Sequence, residues 1–344
     1  MAKEPKIDRV KFQADLGAYF RNVPAAPFLS FDGGSLKLKQ PETYADYVNH
    51  SGIDTVVVKV GTGIVTHRDY RRTIYNMNCI AEDLTRIRLK RGLNVILVTS
   101  GAIGLGRKTR LRIGDKIPET EKDSPGQKQK DAVIGQPILY ELWRHHFYPQ
   151  LVEESLVTHY DLESLSRRNG LLRRYDRWLS EGKIPVVNED DARSLEEIDI
   201  LLKGERVFSD NDGLASLIAR SFKIAGHNPM LVFFGNTDGI YTAESVLSER
   251  YTPIRIVKDP LGLEAQAAPI SSTRGRGGII SRIEAARNAV LEGIYVVVAN
   301  GQFCNHDAPF QERKEGSRRG YDVLGAILDG KVVGTRLPPV AQTI

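Results

Sequence analysis

Apolar residues in this chain gather into short runs separated by longer amphipathic stretches, and the alternation becomes regular from residue 55 onward. "TVVVKV" (55–60), "NVILVT" (94–99), "KIPVVN" (183–188), "PMLVFF" (229–234) and "IYVVVA" (294–299) are largely β-branched or apolar at successive positions. A strand reads that way when both of its faces are buried. Between the first two, 69–90 carries Tyr70, Ile74, Met77, Ile80, Leu84 and Ile87 on one stripe at helical spacing. Helices are also predicted over 128–145, 164–180, 211–222 and 279–292, and a short strand over 154–158. Residues 323–337 suggest a helix or strand piece, a turn at Asp329-Gly330 and a closing strand.

Strand–helix alternation with doubly buried strands predicts an α/β fold: a three-layer αβα sandwich around a mostly parallel sheet. One domain over 54–344 is expected, with 110–127 and 239–274 as excursions from the pattern. Residues 1–53 differ in character, with "NVPAAPF" and "DGGS" punctuating a mixed composition, and suggest an N-terminal extension with a short helix around 8–20. No internal repeat or low-complexity tract interrupts the chain.

Composition narrows the function. The 344 residues carry a formal net charge of +5, with both signs interspersed rather than gathered into a stripe. Without a stripe or a reader motif, a nucleic-acid partner is not expected, and a positive surface serving small anionic substrates fits better. Cys79 and Cys304 alone make neither a disulfide framework nor a cysteine zinc site, which favours a reducing compartment. No apolar run approaches the roughly 20 residues of a bilayer span, and the N-terminus lacks a secretory pattern. The cytoplasm is the expected location, with no membrane partner.

Glycine recurs where the predicted strands end. Gly61-Thr62-Gly63 follows the first strand, "SGAIGLG" (100–106) the second and "NG" (300–301) the last, while "GRGG" (275–278) opens a helix. In such folds ligands sit at the carboxyl ends of the strands, and glycine lets backbone N–H groups approach phosphate oxygens. Two familiar motifs fail. "GAIGLGRKT" (101–109) nearly matches a P-loop, but Arg107 stands between Gly106 and Lys108 and breaks the spacing. No intact G-x-G-x-x-G follows a strand either.

Lys59 is a charge inside an apolar strand, close enough to its end to reach a phosphate; the plainer reading is an ammonium snorkelling from an edge. "PVVNEDDA" (185–192) places Asn188 and Asp191 beyond a strand, and "FSDNDGLA" (208–215) places Asp210, Asn211 and Asp212 at a helix start. Capping accounts for one such residue, not for two groups together. The cluster suits an amino group, Mg²⁺ or the fixing of nearby cations. The seven histidines show no metal-ligand spacing, and Ser100 lacks a nucleophile-elbow context, so a hydrogen-bonding role suits it better.

"VVVKVGTGIVT" (56–66), "VILVTSGAIGLG" (95–106), "IPVVNEDD" (184–191), "FSDNDGLASLIA" (208–219), "DGIYT" (238–242) and "GRGGIISRIEAARNAVLEGI" (275–294) occur in the order found in glutamate 5-kinases of the amino acid kinase family. "AVIGQ" (132–136) and "GKVVGT" (330–335) fit as well, and the resemblance extends to the kinase half of bifunctional pyrroline-5-carboxylate synthases. It implies transfer of the ATP γ-phosphoryl group, with Mg²⁺ carried mainly by the ATP phosphates, to the side-chain carboxylate of L-glutamate. That would be the first step of proline synthesis. Lys59 and Arg282 would then contact the transferring phosphoryl group and Asp212 would orient these cations. Gly61, Thr62, Gly63, Gly235, Asn236, Gly277 and Gly278 would line the nucleotide, and Ser100, Gly101, Asn188, Asp191 and Asn211 the glutamate. A homo-oligomer is expected, and a separate γ-glutamyl phosphate reductase, since no reductase half and no C-terminal RNA-modification-type domain is present.

The sequence departs from the family pattern at two points. Arg282 stands where the motif has lysine, offering a planar fork in place of a point charge. Gly235-Asn236 replaces a usual Thr-Asp or Ser-Asp pair. Two other readings stay open at this level: the same fold with a different small carboxylate or amino-acid acceptor, and a weakly active regulatory paralogue.

Overall fold

The computed structural model describes residues 29–32, 35–38, 52–118, 120, 122, 124–193, 211–263, 267, 279–302, 323–331 and 333–339. The chain divides into two compact units, 1–51 and 52–344. In the first, β1 (Leu29–Asp32) pairs antiparallel with β2 (Ser35–Leu38). The helix expected around 8–20 lies outside the described residues.

In the second unit the apolar runs become strands, all beginning or ending within two residues of the expected bounds. They are β3 (Thr55–Val60), β4 (Asn94–Thr99), β5 (Val152–Val157), β6 (Ile184–Glu189), β7 (Pro229–Gly235) and β8 (Tyr295–Asn300). Together with β9 (Thr335–Leu337) they form one seven-stranded sheet in the order β5-β6-β4-β3-β7-β8-β9. Every pairing is parallel except β8 with β9.

Helices cover both faces, as a parallel sheet requires. Over one face lie α2 (Tyr70–Arg91) and α4 (Pro125–Phe147), burying Met77, Ile80, Leu84 and Ile87 from the first and Leu139, Trp143 and Phe147 from the second. The Trp143 indole N–H donates to Thr99 Oγ1 at 2.9 Å, so the largest buried side chain leaves no orphan donor. Over the other face lie α6 (Leu165–Ser180), α7 (Asn211–Ile224) and α9 (Ile279–Leu291). There Leu171, Tyr175, Ile218, Phe222, Ile283 and Ala286 share a core with Val57, Val98, Leu231 and Phe233 of the sheet.

Among the described residues there are also four short helices: α1 (Thr62–Val65), α5 (His159–Glu163), α8 (Ala243–Leu247) and α10 (Val323–Leu328). One longer helix was not legible as such. The glycines of "SGAIGLG" lead into α3 (Ala102–Arg112), an eleven-residue helix where the sequence reads as a loop. Its glycines serve packing: a methyl group on Gly106 would overlap the Asp131 carbonyl of α4, and one on Gly135 would overlap the Ala102 carbonyl. The two backbones thus touch, and the near P-loop match is a helix crossing.

Candidate active site

The chain order fixes where a ligand can sit. From β3 the chain moves through α2 to β4 on one side, and from β7 through α9 to β8 on the other. Adjacent strands whose connections part in opposite directions leave a crevice beyond their carboxyl ends. Here that crevice opens beyond Val60 of β3 and Gly235 of β7, which run in register with Val60 beside Phe234.

Lys59 lies one residue short of this edge, between Val98 and Phe233 on the neighbouring strands. Its parity with Val57 turns it toward α7, into an otherwise apolar layer. A lysine only 6 % exposed needs a partner, and Asp212 supplies it: Lys59 Nζ stands 2.6 Å from Asp212 Oδ1. Asp212 is fully buried in the first turn of α7, and its other oxygen faces Arg282 Nε of α9 at 3.4 Å. Neither oxygen accepts a well-angled hydrogen bond among the described residues, so both contacts are held by charge more than by hydrogen-bond geometry. Burial pushes the Asp212 carboxyl up, but Lys59 and then Arg282 outweigh it and hold the group below the usual aspartate range. The result is a buried carboxylate shared by two cations, one net positive charge beside the crevice. The snorkelling reading of Lys59 is excluded.

Arg282 reaches this position because the end of β7 lacks a side chain at Gly235. A methyl on Gly235 would sit 2.6 Å from Arg282 Nη1, and one on Gly61 would sit 3.9 Å from Nη2. Gly63 likewise makes room for the Asn236 side chain, which occupies the space a Cβ would need. Of the loop N–H groups, that of Gly61 is bonded to Phe234 O at 3.0 Å. Thr62 and Gly63 open α1, where the first N–H groups have no intrahelical partner. Lys108 Nζ donates to the Thr66 and His67 carbonyls at 2.8 and 2.7 Å and anchors the far end of that helix. Gly277 and Gly278 lie outside the described residues, as does Asp210.

On the β4–β6 side, Ser100 is buried and Gly101 caps α3 in the left-handed region, φ 118°. Asn211 Oδ1 accepts from the Glu189 N–H at 3.1 Å, tying the start of α7 to the end of β6. Asn188 is 1 % exposed, and its Nδ2 donates to Gln136 Oε1 of α4 at 2.7 Å. Its Oδ1 is buried without a partner among the described residues. Asp191 is half-buried in the turn after β6, which Gln129 Nε2 holds through the Ala192 carbonyl at 3.1 Å.

The structure therefore brings Lys59, Asp212 and Arg282 into one cluster, with Gly61 and Gly235 against it and Asn236 beside Gly63. Asn188 and Asn211 each hang from β6 or its end. Gln136, which holds the Asn188 amide, was not singled out although "AVIGQ" contains it. The available signal was its place beside the buried stripe of Ala132, Leu139 and Trp143, where an amide needs partners.

The family model described as "Amino acid kinase family" matches residues 54–300. A glutamate 5-kinase of Clostridium acetobutylicum is 33% identical over 257 residues, 73% of this chain and 88% of that protein. Glutamate 5-kinases of Clostridium perfringens and Symbiobacterium thermophilum are each 31% identical, over 81% of this chain and 93% and 94% of theirs. Among solved structures, a Giardia carbamate kinase gives a TM-score of 0.49 at 12% identity, over 84% of this chain and 100% of that one.

Proposed function

The chain belongs to the amino acid kinase family, and from that premise we propose that it is a glutamate 5-kinase. In this reading it passes the γ-phosphoryl group of ATP to the side-chain carboxylate of L-glutamate. The single observation that carries this reading is the meeting of Lys59 and Arg282 on one buried carboxylate at the sheet's switch point.

The chemistry asks for little else. A glutamate carboxylate, with a pKa near 4.3, is already ionised at neutral pH, so no general base is needed. One carboxylate oxygen attacks the γ-phosphorus, the bond to the β,γ-bridging oxygen breaks, and ADP leaves with its electron pair. No proton moves. The obstacle is repulsion between two anions, which fixed positive charge removes best where charge develops. Lys59 and Arg282 supply that charge, and Asp212 holds them at a set spacing so that they need not reorganise.

The residues also fit a nucleotide. Gly235 and Gly63 let the Arg282 and Asn236 side chains lie against the strand ends, and the N–H groups of Thr62 and Gly63 are free of helical partners. Asn236, exposed beside Gly63, and Gly277-Gly278 ahead of α9 would complete that side. Mg²⁺ would arrive with the ATP phosphates and neutralise their β and γ oxygens; among the described residues no group of three or more acidic, histidine or cysteine side chains is placed to hold a metal. Ser100, Gly101, Asn188, Asp191 and Asn211 would receive the glutamate. No helix of the described residues is long and apolar enough to cross a membrane. The reading includes work in the cytoplasm, a homo-oligomer, and delivery of the unstable acyl phosphate to a separate reductase.

Hydroxylamine trapping tests it. With ATP, Mg²⁺ and L-glutamate the protein should yield γ-glutamyl hydroxamate and ADP in equal amounts, and neither without glutamate. ADP release with another small carboxylate but not with glutamate would reassign the acceptor.

A further inference from the structure

The Asn188 amide is the end of a short hydrogen-bonded chain that runs from β6 through α4 to β5. Asn188 Nδ2 donates to Gln136 Oε1 at 2.7 Å, and Gln136 Nε2 donates in turn to Glu154 Oε1 at 2.7 Å. The oxygen and nitrogen of a primary amide are nearly alike in shape, so either residue taken alone could turn over. The carboxylate of Glu154 removes the choice, because it carries acceptors only. Facing Glu154, Gln136 must present its NH₂; its oxygen then faces Asn188; Asn188 must answer with its own NH₂. The atom left over is Asn188 Oδ1, an acceptor, buried and without a partner among the described residues.

The geometry of the sheet keeps these three groups together. Glu154 and Asn188 lie two positions apart in the β5–β6 register, where Glu154 pairs with Val186 and Leu156 with Asn188, and Gln136 approaches from α4 over the same face. Ser155, between Glu154 and Leu156, faces the other way and accepts from Tyr175 Oη of α6 at 2.8 Å.

We propose that Glu154 and Gln136 are specificity-determining positioning residues: through the two amides they lock Asn188 as a hydrogen-bond acceptor, so that the site selects a carboxylate bearing an ammonium group. This rests on the reading of the site as one for an amino-acid acceptor and deepens it. A buried acceptor left unanswered costs free energy, so a substrate of the same length without the donor is penalised, while one with the ammonium group is rewarded. Glu154 touches no substrate in this scheme; it acts at a distance of two residues.

The test compares L-glutamate with glutarate, which keeps both carboxylates and lacks the amino group, as acceptors for ATP-dependent ADP release. The native chain should favour glutamate in kcat/KM by at least about 100-fold. Glu154→Gln, nearly isosteric and on a half-exposed residue, lets Gln136 and then Asn188 turn over. The preference should fall by about tenfold or more, mostly through the glutamate KM, with kcat for glutarate unchanged. Gln136→Leu should do the same, whereas Glu154→Asp, still an acceptor only, should restore part of the preference. A merely structural role would lower both acceptors together. Undiminished preference in Glu154→Gln and Gln136→Leu overturns the inference while leaving the kinase reading intact; a native chain that turns over neither acceptor overturns that reading first.

Discussion

Arg282 illustrates how one side chain's identity depends on the absence of another. Its planar fork reaches Asp212 from α9 only by crossing the space a side chain at 235 would fill. A lysine, with a single narrow ammonium, would not need that space. The two departures from the family pattern are therefore one arrangement, and they should behave as a coupled pair. Gly235→Ser in the otherwise native chain should lower kcat/KM for ATP by about tenfold, because the new Cβ pushes the guanidinium off its carboxylate. With Arg282→Lys already in place the same serine should cost less than about threefold, a coupling of about 1 kcal/mol. Steady-state kinetics on the four variants measures it; additive losses would show that the guanidinium simply swings aside. At this scale residue type and placement singled out Lys59 and Asp212, and the family resemblance added Arg282 and the roles of all three. The resemblance also implied that Asp212 orients both cations, and the structure places the aspartate against each of them. Nothing in the sequence hinted that Glu154 governs Asn188, since contacts between β5, α4 and β6 are long-range in the chain and leave no local pattern.

Elements were legible in proportion to how fully they are buried. The strands β3, β4, β6, β7 and β8 announce themselves because residues buried on both faces cannot alternate with polar ones. Helix α3 did not, and the reason is physical. Two glycines within Ala102–Arg112, Gly104 and Gly106, lower intrinsic helix propensity, and the backbone contact with α4 repays that loss. Asp131, fully buried in α4, then draws both Arg107 and Arg110 of α3 at 2.9 and 3.2 Å, which explains the arginine that spoils the P-loop spacing. Gly106→Ala should accordingly destabilise by about 3 kcal/mol, since backbone on the opposite helix cannot yield as a side chain can. Urea unfolding followed by circular dichroism reads this directly. An unchanged midpoint would mean that the crossing is looser than the structure shows.

The whole molecule follows from where its chain reverses direction along the sheet. A mostly parallel sheet was readable from strand–helix alternation, but the order β5-β6-β4-β3-β7-β8-β9 was not, because which strands neighbour each other depends on contacts across the fold. That order makes β3 and β7 adjacent and sends their connections apart, and so brings scattered motifs together in one cluster. Lys59 comes from β3, Asp212 from the helix that follows β6, and Arg282 from the helix that follows β7. The measurement to make is glutamate-dependent ADP release by Lys59→Met, in protein shown by circular dichroism to be folded, beside the native chain. Loss of one fixed positive group at the transferring phosphate should lower kcat by about 100-fold or more. A folded Lys59→Met protein that keeps the native kcat would place the chemistry elsewhere.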